Sequence, residues 1–135
     1  MNEPALHDHV SVVRPRPNDY DWALQLNNSV FVELFEAGRW DWSLANGIDL
    51  RSGPLVGAVA RLEVDYKKPV FWDPSIALHV TTSLVRLERF SLYLRQRVAL
   101  AGDEVADGLL RLVVFDKDKR AMVPVELGRL RGASC

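Results

Sequence analysis

The sequence predicts an α+β fold in which one long central helix is wrapped by an antiparallel β-sheet. Three observations carry this. One stretch near the N-terminus repeats its apolar residues with a helical period. Four later stretches alternate, or run apolar, as strands do. The turns dividing several of those strands are too short for anything but antiparallel neighbours. A chain of 135 residues fits a single domain, 1–135, and can bury a core without metals or disulfides.

The elements follow in order. Residues 1 to about 7 read as a loose end, and HVSVV, His9 to Val13, as a short first strand. RPRPNDYD then breaks regular structure with two prolines and turn-forming Asn and Asp. From Asn27 the period becomes helical, with Val30, Phe31, Leu34, Phe35, Trp42 and Ala45 on one face. Asn27 or Asn28 is a suitable N-cap, and Asn46-Gly47 a suitable stop. Gly38, in mid-helix, costs about 1 kcal/mol relative to alanine, which close approach of the helix to a sheet would offset.

After Pro54 the period drops to two. In VARLEVDYK, residues 59–67, Leu62, Val64 and Tyr66 form a buried face opposite Arg61, Glu63, Asp65 and Lys67. SIALHVTTSLVRLE, FSLYLRQRVALA and EVADGLLRLVVFD follow as further strands, the last two joined by a tight hairpin at Ala101-Gly102-Asp103. Short connections join neighbours, so the four strands are expected to form a meander. The tail from Lys117 onward reads as irregular. One helix covers such a sheet incompletely, and its open edges predict pairing into a homodimer or tetramer.

Composition narrows the function. Apolar residues make up 48% and charged residues 26%, with a net charge of −1 and no basic arm, so nucleic acid is not an expected partner. The single cysteine, Cys135, cannot close an internal disulfide, which fits a reducing compartment. MNEPALHDHV lacks the apolar run of a leader, and no segment approaches a membrane span, so a cytoplasmic protein without a membrane partner is expected. His7, His9 and His79 lack the spacing of a metal site; neither metal nor cofactor is expected. No Gly-rich phosphate loop, Ser-His-Asp order or nucleophile elbow is present.

The stretch DWALQLNNSVFVELFEAGRW resembles the signature of hotdog-fold thioesterases of the 4-hydroxybenzoyl-CoA thioesterase type. That signature reads Asp-x-x-Gly-His-x-Asn-Asn, an aromatic or apolar run, then Phe-Glu-x-x-Arg. Asp21 occupies the acidic position, Asn27 and Asn28 the paired asparagines, and Phe35-Glu36-Ala37-Gly38-Arg39 the helical piece. VDYKKPVFWDPSIALHVTT and LVVFDKDKRAMVPV resemble the later landmarks, so the likeness covers nearly the whole chain in order. It departs at one place: Leu24-Gln25 stands where the family has Gly-His.

The resemblance implies an acyl-CoA thioesterase with the hotdog fold, releasing a carboxylic acid and coenzyme A. Such chemistry needs a base or nucleophile, and donors aimed at the carbonyl oxygen where charge develops. Family position gives Asp21 the first role, although local sequence alone reads it as a turn or capping residue. Backbone N–H groups at the helix start, from Asn27 and Asn28 through Ser29 to Val30, suit the second, because they lack intrahelical partners and sit at the positive end of the macrodipole. Gln25 takes the histidine's place either as a neutral hydrogen-bond partner or as a simple loop amide. Glu36 is a solvated helix carboxylate or, as in another branch of hotdog thioesterases, a catalytic one. Lys67 and Lys68 are solvated loop cations or partners for the phosphates of coenzyme A. Asp19 is a loop residue and a second acidic candidate, while Trp40 and Trp42 read as core or interface aromatics. Two other functions share the scaffold: a dehydratase or hydratase, disfavoured by Gln25 where a histidine is expected, and a non-catalytic acyl-CoA-binding protein.

Overall fold

The protein, described from a computed structural model over residues 6–132, has the element order β1 (His9–Val13), α1 (Asn28–Ala45), β2 (Leu55–Tyr66), β3 (Leu78–Leu87), β4 (Leu92–Leu100), β5 (Asp103–Asp116), β6 (Ala121–Val123) and α2 (Leu127–Gly132). Cys135 and most of the loose end read into the first seven residues lie outside the described residues. The end of that stretch is tied down: the His7 N–H donates to Asn46 Oδ1 at 2.7 Å, and Asn46 Nδ2 donates back to the His7 carbonyl at 3.0 Å.

All strands pair antiparallel in one sheet, in the order β1-β3-β4-β5-β2, with β6 added to β5. The long helix lies across it, so the expected helix-in-sheet architecture is what the chain adopts. The meander is corrected. Only β3, β4 and β5 follow one another through short turns; β2 instead pairs with β5, from Leu55 opposite Asp116 to Tyr66 opposite Ala106. Residues 67–77 make this possible, because that link is long enough to carry the chain across the sheet from one edge to the far side.

Four smaller corrections share a cause in this topology. β2 starts at Leu55 rather than Val59, and it is an edge strand with residues 57–61 exposed on both faces. Its expected buried face is reduced to half-buried Leu62 and Val64, and Tyr66 is exposed. Ala45 is exposed at the last position of α1, while Asn46 beyond it is buried. The tail is ordered rather than irregular: Val123 and Leu130 pack with Ile48, Leu55 and Val114 in a separate apolar cluster.

The main core forms where α1 meets the sheet. Val30, Phe31, Leu34 and Phe35 pack on Val70, Leu78, Val80, Val98 and Ala106, and Trp42 packs on Leu92, Leu94 and Leu110. Contact is close at Gly38, as its place in the helix suggested. A Cβ there would lie 2.7 Å from Val80 Cγ1 and 3.1 Å from Gln96 Nε2. Gly108 makes the reciprocal allowance in the sheet, since a Cβ there would reach within 2.9 Å of the Phe35 ring. Below Gly38, fully buried Gln96 donates through Nε2 to the Phe35 carbonyl at 2.8 Å and to Thr82 Oγ1 at 2.9 Å, and its Oε1 accepts from Arg39 at 3.2 Å. Each polar atom of this amide is thereby satisfied, as burial demands.

Gly38→Ala is expected to lower stability by about 1–3 kcal/mol through overpacking, against alanine's better helix propensity. Denaturant unfolding with an unchanged m-value measures this; a midpoint equal to or above wild type would show that the helix does not lie so close.

Candidate active site

The segment before α1 is built by backbone hydrogen bonds that its sequence makes possible. A single 3₁₀ turn, Pro17–Asp19, is closed by Asp19, whose N–H donates to the Arg16 carbonyl at 2.9 Å. The Asp19 carboxylate accepts from the Arg16 N–H at 2.7 Å and from the Arg16 guanidinium at 3.0 Å. Burial pushes this carboxyl up, but the side-chain and backbone hydrogen bonds from Arg16 together outweigh it and hold the group below the ordinary range. Asp19 is therefore a buried anchor of the loop, and its carbonyl also accepts from the Asn27 N–H at 2.9 Å.

Asp21 opens a tight turn. Its N–H donates to the Gln25 carbonyl at 2.8 Å, and its carbonyl accepts from the Leu24 N–H at 2.9 Å. Its Oδ1 accepts from the N–H groups of Ala23 at 2.9 Å and Gln25 at 3.0 Å. These two bonds orient the carboxylate and leave Oδ2 without a hydrogen bond from the described residues. The turn requires a left-handed residue at position 24, where Leu24 has φ of 62°. Leucine in this region costs about 1–2 kcal/mol, so the backbone keeps the conformation that glycine takes freely. The departure from Gly-His thus leaves the turn in place and adds an exposed side chain to it.

Two extended segments, 24–26 and 70–72, hold this turn against the rest of the molecule. Leu26 N–H donates to the Val70 carbonyl at 2.8 Å, Trp72 N–H donates to the Leu24 carbonyl at 2.9 Å, and Gln25 and Phe71 form an antiparallel bridge. The ribbon so formed carries Trp22, which is 96% exposed, together with exposed Leu24, Phe71 and Trp72. Tyr20 packs edge-on to Trp72 with ring centroids 5.3 Å apart. This aromatic rim was not singled out from sequence; its trace there is FWDP, residues 71–74, which reads simply as a turn until the fold brings it beside Asp21.

The helix begins immediately after. Asn27 is the N-cap, with φ of −61° and ψ of 139°, but its side chain makes no capping bond. Val30 N–H donates to the Asn27 carbonyl at 3.0 Å, whereas no protein acceptor among the described residues meets the N–H of Asn28 or Ser29. No acidic residue occupies the first turn to neutralise the macrodipole. The end of β2 borders the same point: the Tyr66 hydroxyl donates to the Asn28 carbonyl at 3.1 Å, and its ring meets Phe31 edge-on. Tyr66 was read as a buried strand position, and only the β2–β5 pairing brings it to the helix start.

The remaining candidates spread out. Lys67 is ion-paired with Glu104, which raises its pKa through the hydrogen bond, and Lys68 lies 3.6 Å from Asp103. Both lysines therefore flank the β4–β5 hairpin. Gln25 is half-buried with its backbone locked to Asp21. Glu36 lies two turns further along α1, where it, Arg39, Trp40 and Ser43 form one wall of a cavity of about 240 Å³ closed by Ile48, Leu50, Val56, Gly57, Val59 and Leu112. Trp42 is buried in the core, but Trp40 is exposed on the cavity side. Among the described residues, no cluster of His, Cys, Asp and Glu could hold a metal, and no helix is long and apolar enough to cross a membrane.

Because the folded pKa of Asp19 is depressed, its contribution to stability is present above the ordinary carboxylate range and lost as pH falls through the folded value. Asp19→Asn should therefore be less stable than wild type at pH 7, with the gap closing below about pH 3. Parallel urea titrations at the two pH values test this; a gap that widens in acid would refute it.

Comparison with known proteins places the chain by family and fold. Among solved structures, the chain is similar to a thioesterase complexed with coenzyme A and Zn from Thermus thermophilus, at 28% identity over 92% of each chain with a TM-score of 0.76. It is similar in fold to a predicted thioesterase from Bacillus stearothermophilus, at 24% identity over 94% of this chain and 96% of the other, TM-score 0.78. A DHNA-CoA thioesterase from Staphylococcus aureus has the same fold at 20% identity, over 90% and 82% of the two chains, TM-score 0.79. No curated protein matches the sequence. The model of the thioesterase-like superfamily matches residues 15–128, and with its single long helix against an antiparallel sheet the chain belongs to that family and has the hotdog fold.

Proposed function

We propose that the protein is an acyl-CoA thioesterase of the 4-hydroxybenzoyl-CoA thioesterase type, hydrolysing an aliphatic or aromatic acyl thioester to the free acid and coenzyme A. The observation that carries the reading is an oriented carboxylate followed, a few residues along the chain, by unpaired helix-start donors. Asp21 presents Oδ2 from a turn that fixes its other oxygen, and Asn28 and Ser29 offer N–H groups at the start of α1 a few residues on.

In the hydrolysis, Oδ2 of Asp21 takes a proton from water as the water oxygen adds to the thioester carbon. The tetrahedral oxyanion is held by the N–H groups of Asn28 and Ser29, assisted by the helix dipole. Collapse breaks the C–S bond, and the departing thiolate receives the proton. The same carboxylate can instead attack directly, giving a mixed anhydride that water then hydrolyses. Gln25 borders the reacting group and Tyr66 stiffens the donor end of the helix. Lys67 and Lys68 are assigned to the phosphates of the carrier, and their pairing with Glu104 and Asp103 means that such contact exchanges one partner for another.

The domain spans the whole chain and works as a homodimer or tetramer. β2 supports this, since it pairs with β5 on one side while residues 57–61 are exposed. The compartment proposed is the cytoplasm. No metal or cofactor is assigned a role.

Asp21→Asn is expected to lower turnover by about 10²–10⁴ on the best substrate from an acyl-CoA panel followed with a thiol-reactive dye. Near-native turnover would remove Asp21 from the mechanism. Crotonyl-CoA hydration in the same preparation would favour a hydratase, and tight acyl-CoA binding without product a binding protein.

A further inference from the structure

The face of the sheet turned away from α1 carries a row of cationic side chains that the chemistry above does not use. Leu92, Leu94 and Leu110 pack with Trp42 on the helix side, so by strand alternation Tyr93 and Arg111 stand on the opposite face. The register sets Arg86 of β3 beside Tyr93 of β4, Tyr93 beside Arg111 of β5, and Arg111 beside Arg61 of β2. Four neighbouring strands thus bring three arginines and a tyrosine into one row. The Arg86 guanidinium lies over the Tyr93 ring, 4.1 Å from its centroid.

Arg111, within this row, is left without a counter-charge. The acids flanking the row are engaged elsewhere: Glu63 with Arg61, Glu88 with Arg86 at 2.9 Å, and Asp107 with Arg95 at 2.6 Å. Arg111 has no ion-pair partner among the described residues, and its Nε is buried with no hydrogen-bond acceptor among them. Both features are unfavourable. Like charges directly opposite one another weaken a strand pair, and an unmet buried donor costs its desolvation. Arg61 belongs to the β2 stretch assigned above to pairing between copies, so its exposure carries no weight here. Its charge opposite Arg111 does, because the β2–β5 register is internal to one copy.

We propose that Arg111, with Tyr93 and Arg86, forms a binding site for a phosphate-bearing anion on the outer face of the sheet. The assignment does not rest on the thioesterase reading. A phosphoryl group brings about two negative charges and three acceptor oxygens, which guanidinium forks meet in pairs. It gives the Arg111 Nε its acceptor and offsets the repulsion from Arg61. Strands about 4.8 Å apart put the Arg86 and Arg111 backbones roughly 10 Å apart, within reach of two arginine side chains. The Arg86–Glu88 pair is solvent-exposed and contributes little, so Arg86 exchanges it readily for the anion. The Tyr93 hydroxyl is a further donor. A carboxylate, with one charge and two oxygens, satisfies a single arginine and leaves the rest of the row unbalanced.

The test is calorimetric titration of the full chain with pyrophosphate, at an ionic strength fixed with sodium chloride so that general screening is constant. Saturable binding is expected, weakened about tenfold or more by Arg111→Met and by Arg86→Met. Arg51→Met, which removes the same charge elsewhere, should bind as wild type does. Arg111→Lys should bind less tightly than wild type because it lacks the fork. Thermal unfolding adds a readout that a merely structural arginine would not give. Without pyrophosphate, Arg111→Met should unfold at or above the wild-type temperature, since a like-charge contact is relieved; with it, wild type should gain and the variant should not. Absence of saturable binding, equal binding by wild type and Arg111→Met, or equal weakening by Arg51→Met would overturn the proposal. So would light scattering in which Arg111→Met breaks up an assembly, because the row then pairs with a second copy. If Arg111→Met does not fold, Arg86→Met decides by the same criteria. Where pyrophosphate binds, displacement by coenzyme A traces the phosphate to the carrier, and simultaneous binding of both traces it to a separate phosphorylated ligand. Pyrophosphate binding needs no turnover, so this site and the thioesterase reading stand or fall separately.

Discussion

The structure depends on one close contact, the seat of Gly38 on β3 and β4. Without a side chain at this position the helix backbone settles onto Val80, Thr82 and Gln96. Gln96 can then bridge the two layers, bonding the Phe35 carbonyl above and Thr82 below. From this point the rest of the helix is committed. Phe35 must fall over Gly108, Trp42 must enter the second cluster, and the opposite flank with Glu36, Arg39 and Trp40 must face β2. The N-terminus of α1 is fixed by the same placement, a few residues along the chain from the Asp21 turn.

The turn itself balances strain against hydrogen bonds. Leu24 in the left-handed region is unfavourable, yet the conformation is over-determined by four bonds around Asp21 and by the bridge to Phe71. The same bonds that hold the turn aim the carboxylate. Strain here coincides with the candidate reacting group, whereas the compensated acids, Asp19 with Arg16 and Asp107 with Arg95, lie where the loop and the outer sheet face need anchoring. The aromatic rim of Trp22, Phe71 and Trp72 belongs to the first kind of feature, since nothing in the core accounts for its exposure.

Much of this was legible in the chain, for reasons particular to each element. The bounds of β1 and α1 follow from turn residues and period, and both were read closely because capping and periodicity are local. The close approach at Gly38 was legible because glycine in a helix interior requires a compensation. Ala45 and the tail were not, since their burial depends on where Asn46, Val123 and Leu130 pack rather than on their neighbours in sequence. The site was legible in its parts. Asp21 and the helix start stand close in the chain, but Tyr66 and the FWDP segment reach them through pairings with distant strands.

By itself the sequence determined the α+β class, the single long helix with its limits, the four long strands, and a turn carboxylate a few residues ahead of the helix. These rest on period, capping and turn chemistry, which act over a few residues. Only the tertiary structure decided that β2 leaves the meander for the far side of β5, that Lys67 and Lys68 are already paired, and that a cavity opens between Arg39 and Gly57. Those outcomes are set by which strand edges remain free once the helix is seated, a constraint carried by the whole sheet and by no single stretch of the chain.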